Sequence, residues 1–199
     1  NKVGYTALLW AACNGHEACV SALLAAGAEV EAANKHGHTA LMLAAANGHE
    51  ACVVALLSAG ADANNGAPLA AAMANNHVGC ALLLCEAGAV VSGNARGMLR
   101  MAAENGYEAL LAKLLEAGAD AVDDDPDDLT ALDRAARNGH SACVSLLLEA
   151  GANVNPSDSS QGFTPLHRAA SSGNEACVAL LLEAGAGVFT RNDAMETPV

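Results

Sequence analysis

Six times along this chain a leucine is followed 19 residues later by a glycine that opens a Gly-Ala pair. The leucines are Leu8, Leu41, Leu69, Leu99, Leu132 and Leu166, and the glycines are Gly27, Gly60, Gly88, Gly118, Gly151 and Gly185. From each glycine to the next leucine the intervals are 14, 9, 11, 14 and 15 residues. A core of constant length joined by variable connectors is the pattern of a stacked array. Each core must offer its neighbours the same faces, whereas connectors face solvent and tolerate length changes. Few other architectures require such a register.

Each core reads as two short helices. Leu8, Ala11 and Ala12 have helical spacing, Asn14-Gly15 breaks it, and Ala18, Cys19, Ala22 and Leu23 form a second apolar stripe. Thr6, Thr39, Thr130 and Thr164 stand where they can N-cap the first helix. Pro68 and Pro165 fall at first helical positions, and Gly27 and its equivalents are helix stops. Composition agrees. The chain is 53% hydrophobic but 3% aromatic, so its core is thin and built from small side chains. With 16% charged residues it is no disordered acidic tail, and no apolar run is long enough to span a membrane.

These units resemble the ankyrin repeat family. Gly162-Phe-Thr-Pro-Leu-His167-Arg-Ala-Ala170 follows the family's G-x-T-P-L-H-x-A-A, and Leu180-Leu-Leu-Glu-Ala-Gly-Ala186 follows its second-helix ending. The motif histidine stands only at His167; Leu9, Met42, Ala70, Arg100 and Asp133 take its slot elsewhere. The third and fourth repeats lack the capping threonine, with Ala67 and Gly97 in its place, and follow shortened connectors. Their fingers are therefore expected to be stunted. The resemblance implies an all-α solenoid of helix–turn–helix units with short β-hairpin-like fingers, first helices on the concave side. We expect one domain over 1–199, with repeats near 1–33, 34–62, 63–91, 92–124, 125–157 and 158–190 and a partial seventh at 191–199. The chain opens inside a connector, and Glu196-Thr-Pro-Val199 restarts the motif; we expect it to be part of a longer protein.

Register also interprets the reactive side chains. Cys19, Cys52, Cys80, Cys143 and Cys177 share one slot, filled by Leu110 in the fourth repeat. A slot that accepts cysteine or leucine is a packing slot, so these thiols are expected to be buried and inert. Packed helices lie roughly 10 Å apart, and cysteines more than about 7 Å apart cannot bridge. A reducing cytoplasmic or nuclear compartment is the expectation. Cys13 and Cys85 lie outside the slot. His16, His49, His77 and His140 recur after the inter-helix turn, which points to a structural backbone hydrogen bond at the start of the second helix. His36 and His38 form a connector-tip pair without a third ligand, too few for a metal site.

The net charge of −13 argues against nucleic acid, whose binders carry a basic face. Eight of the 22 acids lie between Glu116 and Asp133, without a lysine or arginine among them. The run Asp123, Asp124, Asp125, Asp127, Asp128 lacks the glycine and glutamate that a calcium loop needs. It reads as a solvated finger or as a patch for a basic partner. No phosphate loop, nucleophile elbow or zinc-protease motif is present, so no catalysis and no cofactor are expected.

One slot carries the functional signal. Two residues after each motif leucine the chain reads Trp10, Leu43, Ala71, Met101, Arg134 and Arg168; three residues further on it reads Cys13, Ala46, Ala74, Glu104, Arg137 and Ser171. In the family this helix lines the concave surface, so the expected inner face is apolar at first and basic in the last two repeats. Trp10, Leu43 and Met101 are the candidate apolar anchors, and Arg134, Arg137 and Arg168 the candidate partners for carboxylates. Tyr5, His38 and Phe163 are expected beside them. Tryptophan, methionine and arginine are enriched at interface centres. The function expected is non-catalytic protein–protein recognition, or a regulatory segment of a larger enzyme, channel or assembly. Asn64 and Asn155, four residues after the repeat glycine, stand where the family is sometimes hydroxylated.

Overall fold

A computed structural model describes residues 4–91, 95–122, 129–156, 162–190 and 197–198. Among the described residues twelve helices come in pairs, and the chain divides into two compact units, 1–93 and 94–199.

The first unit holds α1 (Ala7–Cys13), α2 (Glu17–Ala25), α3 (Ala40–Ala46), α4 (Glu50–Ser58), α5 (Pro68–Ala74) and α6 (Val78–Glu86). First helices pack on first helices, α1 on α3 and α3 on α5; second helices do likewise, α2 on α4 and α4 on α6. The second unit repeats the scheme with α7 (Ala95–Asn105), α8 (Glu108–Glu116), α9 (Ala131–Asn138), α10 (Ser141–Glu149), α11 (Pro165–Ser171) and α12 (Glu175–Glu183). Small residues at Ala11, Ala44, Ala72, Ala102, Ala135 and Ala169 let the layers close up. All six are buried.

The local signals behave as chemistry requires. Thr6 and Thr39 accept from the amides of Leu9 and Met42, both at 3.2 Å. Thr130 accepts from Asp133 at 3.1 Å, while Asp133 accepts from the Thr130 amide and hydroxyl. Aspartate thus does at Asp133 what the motif histidine does at His167, whose Nδ1 lies 3.2 Å from the Thr164 amide. Ala67, lacking a hydroxyl, starts α5 from the left-handed region at φ 53°.

Two expectations about local structure need correction. Gly97 replaces no cap, because α7 begins upstream at Ala95 and carries Gly97 inside it. Among the described residues the connectors form no strand. They fold as tight turns: Asn34 donates to the His38 carbonyl at 3.1 Å, and its side chain accepts from the His36 and His38 amides. A turn that spends its carbonyl and side-chain acceptors locally leaves no ladder to extend.

The register histidines bond differently from expectation. None caps its own helix. His49 instead reaches back one repeat, its Nε2 3.1 Å from the Cys13 carbonyl, and His140 makes the same bond to the Glu104 carbonyl. Asn174 takes this place in the last repeat, donating to the carbonyls of Ala136 and Arg137 at 2.9 and 3.0 Å. These groups satisfy first-helix carbonyls that a helix end leaves open. The repeat glycines make room for them. A Cβ on Gly15 would lie 2.6 Å from His49 Nδ1, and one on Gly139 would lie 2.7 Å from Asn174 Oδ1.

Candidate interaction site

In the first unit the expected anchors separate by exposure. Trp10 is 52% exposed, and its ring centroid lies 4.8 Å from that of Tyr5. Together they make an aromatic patch at the α1 face. Leu43, one repeat on, is only 7% exposed and serves the core; as an anchor it is corrected, because its neighbouring helices close over it. His38 is half-buried, its ring 5.8 Å from that of His36, and no group of three metal-binding side chains exists among the described residues.

In the second unit Met101 is half-buried on α7. The arginines are engaged within the chain. Arg134 pairs with Glu104 at 2.5 Å and donates to the Leu129 carbonyl at 3.3 Å. Arg168 lies 3.3 Å from Asp133, whose side chain is almost fully buried, and its guanidinium sits 5.5 Å over the Phe163 ring. Phe163 meets His167 edge-on at 5.6 Å. Arg137 is exposed and forms no ion pair among the described residues. Arg134 and Arg168 therefore present oriented guanidinium faces, partly neutralised, while Arg137 presents a charge that no described residue pairs. The acidic run at Asp123, Asp124, Asp125, Asp127 and Asp128 lies outside the described residues.

Sequence reasoning did not foresee Asp133 and Glu104 as the arginines' partners. The signal existed: Glu104 stands 30 residues before Arg134, one repeat away, and Asp133 puts a carboxylate in a slot that holds Leu9, Met42 and Ala70 in the first three repeats.

The shared cysteine slot splits as well. Cys52, Cys80, Cys143 and Cys177 are buried, and burial first, with nearby carboxylates adding at Cys80 and Cys143, pushes those two thiols up to about 11. Burial also raises Cys52 and Cys177. Cys19 departs from the expected burial: it is exposed, because no described residue packs on that side of α2. None of the seven cysteines is in a disulfide. Asn64 and Asn155 accept from the amides of Val90 and Gly187 at 2.8 and 2.9 Å, which fixes their amides in the connectors.

The family model described as Ankyrin repeats (3 copies) matches residues 1–67 and 99–192. The chain belongs to the ankyrin repeat family. Its fold is an all-α ankyrin-repeat solenoid. Among solved structures it is similar to the human ASB11 ankyrin repeat domain, at 29% identity over 98% of this chain and 90% of that one, TM-score 0.70. It is similar to an ankyrin repeat domain from Acinetobacter baumannii AYE, at 30% identity over 90% and 98%, TM-score 0.72. The Bcl-3 ankyrin repeat domain, from a member of the IkappaB protein family, aligns at 28% identity over 98% and 93%, TM-score 0.68. No curated protein matches the chain. Ankyrin repeats are generally protein–protein interaction modules, typically non-catalytic. Among the described residues no helix is long and apolar enough to cross a membrane.

Proposed function

We propose that this ankyrin array is a non-catalytic scaffold that holds a partner protein segment against its first helices. The observation that carries the reading is Trp10, the chain's one tryptophan, standing exposed on a first helix and braced by Tyr5. A large aromatic left in water at a packed, rigid site is the usual centre of a binding hot spot. In the second unit, Arg137 with the Arg168–Phe163 pair forms a separate polar patch suited to carboxylates. Here Asp133 and Phe163 hold the Arg168 guanidinium in one orientation, so less side-chain entropy is lost on binding. Free thiols in register favour a reducing, intracellular setting.

The test is quantitative capture of partners from source extract by the native chain and by Trp10→Ala and Arg137→Glu variants whose circular dichroism is unchanged. Loss of one partner from Trp10→Ala supports the reading. Equal retention by both variants contradicts it and favours a structural segment of a larger assembly.

A further inference from the structure

An asparagine followed by glycine is open to attack from its own chain, because glycine has no side chain to shield its backbone nitrogen. Five such pairs occur: Asn14-Gly15, Asn47-Gly48, Asn65-Gly66, Asn105-Gly106 and Asn138-Gly139. Four of them close first helices. Asn14, Asn47, Asn105 and Asn138 donate from Nδ2 to the carbonyls of Trp10, Leu43, Met101 and Arg134, at 2.7, 2.8, 2.9 and 3.0 Å. The amides of Gly15, Gly48 and Gly139 donate to the carbonyls of Ala12, Ala45 and Ala136. Asn14 and Asn47 are held at ψ 4° and 5°. For the glycine nitrogen to reach Cγ it must eclipse Cβ, and ψ near zero turns it away.

Asn65 is different. It lies exposed in the connector between the second and third repeats, and the Gly66 amide donates to no described residue. Its carboxamide reaches the preceding connector, where Nδ2 donates to Glu31 Oε2. The other oxygen of Glu31 accepts from the Asp62 amide at 2.8 Å. Glu31 therefore ties one connector to the next, and half of that tie needs a donor at Asn65.

We propose that Asn65 is a site of spontaneous deamidation, and that its conversion releases this tie. The Gly66 nitrogen attacks Cγ of Asn65. The N–Cγ bond of a cyclic imide forms, and the Cγ–Nδ2 bond breaks. The proton lost by the Gly66 nitrogen passes through solvent to Nδ2, which leaves as ammonia. Water then adds to either imide carbonyl and opens the ring, giving aspartate or the isomer whose main chain runs through the side chain. Nothing is oxidised or reduced, and water is the one co-reactant. Both products set a carboxylate against Glu31 where a donor stood, and like charges in contact repel. The isomer also adds an atom to a main chain with little room. A Cβ on Gly66 would already lie 3.4 Å from Thr39 Oγ1 and 3.5 Å from the Gly37 carbonyl oxygen. This chemistry does not depend on partner binding at Trp10.

The test is incubation of the whole chain in mildly alkaline buffer, folded and in urea, with peptide mass mapping of amide-to-acid conversion over time. In the folded chain Asn65 should convert first. Asn14, Asn47 and Asn138 should lag by at least about tenfold, because each must give up two hydrogen bonds before it can react. In urea all five pairs should convert at comparable rates. A folded chain that converts Asn65 no faster than these helix-end pairs overturns the proposal. The consequence is read separately from urea midpoints. Asn65→Asp, which mimics one product, should lower the midpoint, and should lower it less in a Glu31→Gln background, where no second charge opposes it. An unchanged midpoint, or an equal drop in both backgrounds, overturns the part assigned to Glu31.

Discussion

His49 donates from Nε2 to the Cys13 carbonyl across 3.1 Å, with its ring lying over Gly15. Two residues in adjacent repeats thereby fix the spacing of one layer on the next. His49→Ala removes this bond and leaves a helix-end carbonyl partly shielded, at a cost of about 1–2 kcal/mol. Gly15→Ala places a Cβ against the ring at φ +73°, where only glycine is at ease, and should cost about 1–3 kcal/mol. Urea unfolding followed by circular dichroism measures both. A loss confined to one substitution would separate the bond from the close approach.

Asp133 gathers three functions in one carboxylate. It accepts from the Thr130 amide and hydroxyl and holds Arg168. Asp133→Ala leaves the Thr130 amide short of an acceptor and Arg168 without its carboxylate, so stability should fall by about 2–4 kcal/mol. Arg168→Ala is expected to cost less, because the buried Asp133 carboxylate keeps the Thr130 amide and hydroxyl as donors. Equal costs would mean that the ion pair, not the cap, carries the site.

Ala67 occupies the left-handed region at φ 53° without a side chain that favours it. Ala67→Gly should stabilise the first unit by about 0.5–1 kcal/mol, relief of strain outweighing the added freedom of the unfolded chain. Denaturant midpoints of the two proteins give the answer.

Thiol reactivity should divide by burial. At neutral pH Cys19 is expected to react with a disulfide reagent well before Cys80 and Cys143, whose pKa of about 11 cuts their thiolate fraction about 100-fold from that of an ordinary thiol. The same shift makes stability depend on alkaline pH. Unfolded, these thiols ionise near 9.0; folded, they hold their protons to about 11. Their contribution is therefore whole below pH 9 and is lost as the pH rises from 9 through 11. Cys80→Ala and Cys143→Ala should flatten that loss in pH-dependent melts.

The repeat register was legible because it is a property of spacing: a fixed core with capping threonines at Thr6, Thr39 and Thr130 leaves little choice of local structure. What one slot meets was not legible. Cys19 and Cys52 are the same residue in the same slot, yet one is exposed and the other buried, because burial comes from the neighbour rather than the residue. Leu43 and Trp10 divide for the same reason. The arginines of α9 and α11 read as free charges in the sequence, and only folding brought Glu104 and Asp133 to them. The helix containing Gly97 began earlier than expected because Ala95 and Arg96 are adequate helix formers without a threonine cap.

The most direct test of the first-helix account is hydroxyl-radical footprinting of the chain with and without its captured partner. Trp10, with Tyr5 beside it, should lose most of its reactivity in the complex, while Val54 and Leu182 on the second helices keep theirs. Protection of Val54 or Leu182 with Trp10 left reactive would contradict the account and move recognition to the second helices.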